Sequence, residues 1–199
     1  LPELRVTTSG GQVYIIGLWQ EVGDPVDSNG RPLAFMVPDT FAWSLESKAI
    51  WSAYPTFANW VGHSSYGLWS FDRLFTTADA LPLGNAEAPF VVTQWGCWNT
   101  YHVLPAYTTL GHALILSPER GAAAVIGAAT LTGADADRYL AKILIPTLLS
   151  PGNSLGQAMV NAKRQLAATH PEMLDVILGT TLLGDPTLAL PLGGGTKGR

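Results

Sequence analysis

The sequence predicts an α/β domain with three layers, in which a mostly parallel sheet lies between two layers of helices. Three observations support this prediction. Strand-like and helix-like segments alternate from residue 57 onward, as they do in chains built from βαβ units. The strand-like segments are near-continuous apolar runs, which are typical of strands covered on both faces. With 199 residues, 47% hydrophobic and 13% charged, the chain suits one domain with a full core.

Six segments have strand character and three have helical character. The predicted strands are 13–18, 34–37, 57–61, 90–95, 122–128 and 188–190. The predicted helices are 108–116, 136–149 and 154–169. Ser154 suits the N-cap of the third helix, and Asp135 or Asp137 that of the second, because their side-chain oxygens can accept from free backbone N–H groups. Pro146 is expected to kink or end the second helix because it has no N–H to donate.

The chain divides into three parts on composition. Residues 1–56 form the N-terminal part of the domain and include a turn-rich surface loop at 19–33. Residues 57–192 carry the alternating strands and helices, and residues 193–199 form a flexible Gly-rich tail. The opening residues lack the positive-then-apolar pattern of a signal peptide. A mature piece of a secreted or cell-surface precursor fits these features.

Charge and hydropathy exclude two classes of partner. The formal net charge of −4 leaves no basic face that could neutralise several phosphates, so nucleic acid is not an expected partner. No apolar run reaches the roughly 20 residues that a membrane-spanning helix needs. The single cysteine, Cys97, cannot form an internal disulfide. It is therefore either a buried apolar filler or a working residue.

Two predicted strands end in a glycine followed by a reactive side chain. The strand at 57–61 leads into Gly62 and His63, and the strand at 90–95 leads into Gly96 and Cys97. Neighbouring parallel strands lie about 4.8 Å apart and end at the same edge of the sheet, where ligands bind. A thiolate activated by a nearby histidine is a common arrangement for acyl transfer. The paired pattern predicts such a site.

These residues resemble the gingipain-type cysteine peptidases, peptidase family C25, which share the caspase-like fold of clan CD. Five segments carry the resemblance, in family order and over roughly two-thirds of the chain. They are Gly62-His63-Ser64-Ser65, the strand from Pro89 to Cys97-Trp98-Asn99, the segment from Gly121 to Thr130, the helix start Leu155-Gly156-Gln157-Ala158, and the closing motif Leu182-Leu183-Gly184-Asp185-Pro186-Thr187-Leu188. The resemblance makes residues 57–192 a caspase-like catalytic subdomain.

The resemblance implies a cysteine endopeptidase that needs no cofactor and acts on protein or peptide substrates. Cys97 would be the nucleophile and His63 the general base, with the N–H groups of Ser64 and Cys97 forming the oxyanion hole. Ser64 stands where the family usually has glycine. Other segments of a longer precursor are expected partners.

A substrate cleft is expected around the ends of the cysteine strand and the strand after it. The residues predicted to line it are Trp69, Trp95, Trp98, Thr130 and Thr132. The resemblance favours a basic residue before the cleaved bond.

Several alternatives compete with this interpretation. The chain is compatible with an inactive binding module on the same scaffold, with a serine hydrolase using Ser64, and with His102 instead of His63 as the base. Ser64 lacks the glycine two residues later that a nucleophile elbow requires, since Tyr66 stands there. Metal ligation by Cys97, His102 and His112 lacks a recognisable spacing. A structural calcium at 133–137 would rest on only two carboxylates.

The segment 183–186 is expected to form a turn before the last strand, with the Asp185 carboxylate accepting from nearby N–H groups.

Overall fold

The computed structural model describes residues 7–9, 11–13, 57–71, 73–85, 89–116 and 120–190. The predicted strand at 34–37 and all of the strand at 13–18 except Val13 lie outside these residues. The strands are β1 (Thr7–Ser9), β2 (Gly11–Val13), β3 (Phe57–Val61), β4 (Ser64–Ser65), β5 (Leu68–Trp69), β6 (Phe75–Thr76), β7 (Phe90–Trp95), β8 (Ala122–Ala128) and β9 (Thr180–Gly184). The helices are α1 (Thr77–Ala80), α2 (Leu110–Ile115), α3 (Ala134–Leu148), α4 (Leu155–Thr169) and α5 (Leu174–Gly179).

Among the described residues, one six-stranded sheet organises the domain, in the order β1-β2-β3-β7-β8-β9. Strands β2, β3, β7 and β8 run parallel to their neighbours within this group, whereas β1 and β9 pair antiparallel at the two ends of the order that the described strands form. Strands β4, β5 and β6 form a separate small antiparallel sheet. The predicted mostly parallel sheet is therefore confirmed.

Helices pack on both faces of the sheet, which confirms the predicted three layers. On one face, alternate strand residues such as Val91 and Ile126 pack with the buried sides of α3 and α4. On the other face, Val92 and Val125 pack with α1 and α2. Because successive side chains of a strand point to opposite faces, a strand buried on both sides must be apolar throughout. The bounds predicted for β3, β7 and β8 match the observed ones for this reason.

The helices on the first face begin in different ways. Ser154 caps α4 by accepting from the N–H of Gln157 at 3.3 Å, as predicted. Helix α3 begins after Gly133 with no side-chain cap, so the predicted capping by Asp135 or Asp137 is wrong. Asp135 pairs with an arginine one turn along its own helix, and Asp137 is turned into the protein. Pro146 lies in the last turn of α3, which ends two residues later.

The C-terminal end of the domain differs from the prediction. Among the described residues, the last strand along the chain is β9, which is antiparallel to β8. The predicted strand at 188–190 is only a single bridge between Ser154 and Ala189. The turn at Asp185 therefore follows the last strand instead of preceding it. Its carboxylate accepts from the N–H and hydroxyl of Thr187 at 2.8 and 2.7 Å, as predicted, and these bonds lower its pKa. Edge strand β9 is half-buried and mixes threonine with leucine, so it lacks a continuous apolar run.

Within the described part of the chain, no helix is long and apolar enough to cross a membrane.

Candidate active site

The ends of β3 and β7 bring His63 and Cys97 to the same edge of the sheet. The two strands are parallel neighbours with Val61 opposite Trp95. One residue further, the N–H of Gly62 donates to the carbonyl of Trp95 at 3.0 Å. His63 and Cys97 each follow two residues after this last aligned pair. Both residues therefore lie just beyond the paired ends of two neighbouring strands.

Gly96 permits the close approach of the two segments. A Cβ at this position would overlap the carbonyl oxygen of Gly62 and lie 2.5 Å from the Oγ of Ser64. Any side chain would force apart the two strand ends that carry His63 and Cys97. The glycine before the cysteine is thus required by contact between strands.

Asn99 holds the turn that carries the cysteine, a role that the sequence did not reveal. It is fully buried. Its amide nitrogen donates to the carbonyl of Gly96 at 3.0 Å, to the Oγ of Ser64 at 3.1 Å and to the carbonyl of Gln94 at 3.4 Å. Its Oδ1 accepts from the N–H of Ala128 at 3.1 Å. One side chain therefore ties the ends of three segments together, and a polar residue just after a buried strand was its only sequence signal.

Ser64 uses its hydroxyl to support residues 96–99, the cysteine loop, which directly follow β7. Its Oγ donates to the carbonyl of Cys97 at 2.8 Å, and the residue is buried. Ser64 lies opposite Trp69 in the small sheet. The neighbouring pair, His63 and Ser70, is hydrogen-bonded, because the N–H of Ser70 donates to the backbone carbonyl of His63 at 2.8 Å. Hydrogen-bonded and non-hydrogen-bonded pairs alternate along an antiparallel ladder, so the backbone N–H of Ser64 faces away from β5. The hydroxyl is committed to a structural bond, which weighs against a serine nucleophile.

The Cys97 thiol contacts Thr132 in the segment after β8. The N–H of Thr132 donates to Sγ at 3.5 Å, and the thiol donates to the Thr132 carbonyl at the same distance. The threonine hydroxyl lies 3.9 Å from Sγ. Cys97 itself is half-buried, so it is not a filler of the hydrophobic core.

The two candidate bases have different surroundings. The exposed His63 ring stacks on Phe71, with centroids 5.2 Å apart. His102 is also exposed, and its Nδ1 lies 3.2 Å from the carbonyl of Thr100 in the loop after the cysteine. Only His63 follows directly from a strand of the main sheet.

Of the three predicted tryptophans, only Trp98 reaches the surface of the site. Trp69 and Trp95 are each 2% exposed, and their indole N–H groups donate to buried amides, Gln94 at 2.6 Å and Asn59 at 2.8 Å. Burial places these two in the packing beneath the site, where they cannot line a cleft. Trp98 is half-buried and follows Cys97 directly.

Trp98 has a strained backbone and an aromatic neighbourhood. Its φ of 62° lies in the left-handed region, which a bulky side chain rarely adopts. Its N–H donates to the carbonyl of Thr130 at 3.0 Å and its carbonyl accepts from Tyr101 at 3.2 Å, which hold this conformation. The ring contacts Tyr66 and Tyr101 at centroid distances of 5.7 and 5.3 Å, and Tyr107 stacks on Tyr66 at 4.9 Å. The sequence did not predict this aromatic group beside the cysteine.

The described residues contain no group of three or more histidine, cysteine or acidic side chains that could hold a metal ion. In the candidate calcium segment, Asp135 pairs with Arg138 at 2.6 Å. Asp137 accepts from the hydroxyl of Thr132 at 2.8 Å.

Asp137 is a buried carboxyl next to the site. Burial raises its pKa to about 7, the nearby Asp175 carboxylate adds to the rise, and the hydrogen bond from Thr132 only partly opposes it. The sequence pattern predicted a helix cap for this residue. A buried acid in the first turn of a helix and a capping acid cannot be told apart from the local sequence.

The buried carboxyl should make the domain less stable as pH rises. Between pH 4 and 7 an unfolded Asp137 loses its proton while the folded one keeps it, so the free energy of unfolding falls across this window and levels off above it. Asp137→Asn removes this titration. At about 1.4 kcal/mol per pH unit, the free energy of unfolding of the variant minus that of the wild type should therefore rise by about 4 kcal/mol from pH 4 to pH 8. Urea unfolding of both proteins from pH 4 to 8 measures this. A difference that does not change with pH would contradict it.

The sequence model of peptidase family C25 matches residues 51–191, which is more than half of the chain. The chain belongs to peptidase family C25. A second family model, a domain of unknown function (DUF4842), matches residues 25–69. No curated protein matches the sequence.

Solved structures share the fold of this C25 domain. The crystal structure of the Arg-specific cysteine proteinase gingipain R matches 73% of the chain with a TM-score of 0.60 and 18% identity. A structure described only as a protease matches 75% with a TM-score of 0.64 and 20% identity. A complex of the pro- and mature domains of Porphyromonas gingivalis RgpB matches 84% with a TM-score of 0.59 and 18% identity. The C25 chain spans only 35%, 38% and 46% of these three chains.

Proposed function

We propose that this C25 domain carries the catalytic centre of a cysteine endopeptidase, with Cys97 as nucleophile and His63 as general base. The observation that supports this best is the pairing of β3 with β7, which aligns Val61 with Trp95 and leads both reactive residues out at one edge of the sheet. Proton transfer requires the imidazole and the thiol to come within hydrogen-bonding distance, and neighbouring parallel strand ends, about 4.8 Å apart, favour such an approach.

The reaction proceeds in two halves. His63 takes the proton of the Cys97 thiol, and the sulfur attacks the carbonyl carbon of the peptide bond. The C–N bond then breaks, the leaving amine receives the proton from His63, and a thioester remains on Cys97. Water attacks the thioester with His63 again accepting a proton, and the new carboxylic acid leaves as the thiol re-forms. No cofactor is needed.

Two backbone N–H groups are proposed to stabilise the oxyanion. One belongs to Cys97, and the other belongs to Ser64, whose N–H faces away from β5 in the small sheet. The hydroxyl of Ser64 fixes the relation between the two groups by donating to the Cys97 carbonyl. A preorganised donor of this kind is worth about 3 kcal/mol in the transition state of a peptidase.

The substrate is proposed to bind beside Trp98 and the segment that contains Thr130 and Thr132. Both Thr130 and Thr132 are partly exposed, and each contacts the cysteine loop. Gingipain R is Arg-specific, and family membership favours a basic residue before the cleaved bond here as well. Asp135 does not add support, because it is exposed and paired with Arg138.

Further segments of a precursor are proposed partners, with secretion or a cell-surface location. The C25 domain spans less than half of each matched chain, and one matched structure is a complex of pro- and mature domains. An additional segment could complete the substrate cleft or cover it before activation.

A peptide-based thiol probe tests the proposed function. Peptidyl acyloxymethyl ketones that end in Arg, Lys, Leu or Asp would be incubated with the protein, and mass spectrometry would locate the adduct. We expect the Arg and Lys probes to modify Cys97 faster than they modify glutathione, because binding and His63 both activate the thiol. Matched fluorogenic peptides should be cleaved in the same order of preference.

Labelling no faster than that of glutathione, with no peptide cleaved, would identify an inactive binding module instead. Faster labelling by the Leu or Asp probe would overturn the basic preference and leave the nucleophile assignment intact.

A further inference from the structure

The segment 129–133, which follows β8, packs against the cysteine loop and is held at several points. The carbonyl of Thr130 accepts from Trp98 at 3.0 Å, and the N–H of Ala129 donates to Gly179 at 2.8 Å. The N–H of Gly133 donates to the Asp175 carboxylate at 2.8 Å. Between these points lies Thr132, whose backbone N–H and carbonyl are both 3.5 Å from the sulfur of Cys97.

The Thr132 hydroxyl is committed to Asp137. It donates its single hydrogen to the Asp137 carboxyl at 2.8 Å, so the oxygen facing Sγ at 3.9 Å presents only lone pairs. Asp137 is 6% exposed, and water therefore competes little for this bond. Fixing the hydroxyl also fixes the side-chain rotamer and the peptide groups of Thr132 on which the thiol rests.

We propose that Asp137 is a positioning residue for the Cys97 thiol and acts through Thr132. The carboxyl lies in the first turn of α3, which the hydrophobic core holds rigidly through residues such as Leu140 and Leu144. The hydrogen bond between Asp137 and Thr132 therefore restricts the movement of segment 129–133, which belongs to no helix or strand. The N–H of Thr132 then stays aimed at the sulfur, where it stabilises the thiolate by hydrogen bonding. The effect on hydrolysis rests on the proposed function, but thiol reactivity does not.

A double-mutant cycle on thiol reactivity tests the proposal. Thr132→Val and Asp137→Leu each remove the hydrogen bond and keep the number and branching of the side-chain heavy atoms. The second-order rate of Cys97 alkylation by iodoacetamide is measured for each and for the double variant. We expect each single variant to react about tenfold more slowly than the wild type, because the donor to the thiolate is no longer held. The double variant should be no slower than either single one.

Conservative variants and a matched control separate positioning from general damage. Thr132→Ser keeps the donor and Asp137→Asn keeps an acceptor, so both should react within about twofold of the wild type. Asp135→Ala removes the other acid from the same turn of α3, where it is exposed and paired with Arg138, and should also leave the rate unchanged. Where peptides are cleaved, kcat should fall about ten- to a hundredfold in Thr132→Val.

Three outcomes would overturn the proposal. The first is a wild-type alkylation rate in Thr132→Val, and the second is a double variant whose loss of rate equals the two single losses combined. The third is faster alkylation in Asp137→Leu, which would mean that the carboxyl only keeps the Thr132 hydroxyl from donating to the sulfur. Should Asp137→Leu fail to fold, Thr132→Val and Thr132→Ser still decide the result. A wild-type protein that cleaves no peptide but shows the expected alkylation cycle would refute the proposed function and not the positioning role.

Discussion

Replacing Cys97 with alanine is expected to abolish peptide hydrolysis while leaving the domain folded. The variant has no nucleophile to form the thioester, and loss of such a group lowers kcat by about 10⁴-fold or more. The fold should tolerate the change because the thiol is only half-buried, and its contacts are with Thr132. The hydrogen bond from Ser64 is also kept, because its acceptor is the backbone carbonyl of residue 97. Fluorogenic peptide assays and thermal unfolding measure the two parts of this prediction.

Cys97→Ser provides the matched control for this experiment. It keeps the size and a hydrogen-bonding group next to Thr132 but replaces the thiolate with a much weaker nucleophile. We expect it to unfold at the wild-type temperature and to be as inactive as Cys97→Ala. Appreciable hydrolysis by the alanine variant would refute the nucleophile assignment. An unfolded alanine variant would instead assign the thiol to packing.

Replacing His63 with alanine is expected to lower kcat/KM by about 10³-fold, in the range that general acid–base catalysis contributes. Of the two candidate bases, only His63 follows a strand, β3, that pairs with β7, the strand that precedes Cys97. Its ring is exposed and stacks on Phe71, so truncation should leave the unfolding temperature nearly unchanged. The measurement is steady-state hydrolysis of the peptide that the wild type cleaves fastest.

The matched control is His102→Ala, five residues after the cysteine. Its ring is also exposed, and its Nδ1 lies near the carbonyl of Thr100, where it has no strand to hold it. We expect it to keep most of the wild-type activity. A loss at His102 equal to or larger than the loss at His63 would transfer the role of general base to His102.

The central strands could be predicted from the sequence because of where they lie. Strands β3, β7 and β8 are covered by helices on both faces, so each must be an unbroken apolar run, and such runs are visible without any knowledge of their neighbours. The face of α4 that contains Leu155, Met159 and Leu166 was visible for a similar reason, since its apolar residues recur with the helical period. Strand β9 and helix α5 were missed because one is a half-exposed edge strand and the other has only six residues.

The sequence by itself was enough to predict the candidate residues His63 and Cys97, the glycines before them and the strands that lead to them, because an apolar run and the glycine that follows it are local patterns. Only the tertiary structure decided what surrounds them. It buried Trp69 and Trp95 beneath the site, made Asn99 the link between three strand ends, and turned Asp137 inward to Thr132 instead of capping α3. The physical reason is that the burial of a side chain, and a bond such as that between Asn99 and Ala128, which lie 29 positions apart, depend on how whole elements pack. No local pattern encodes it.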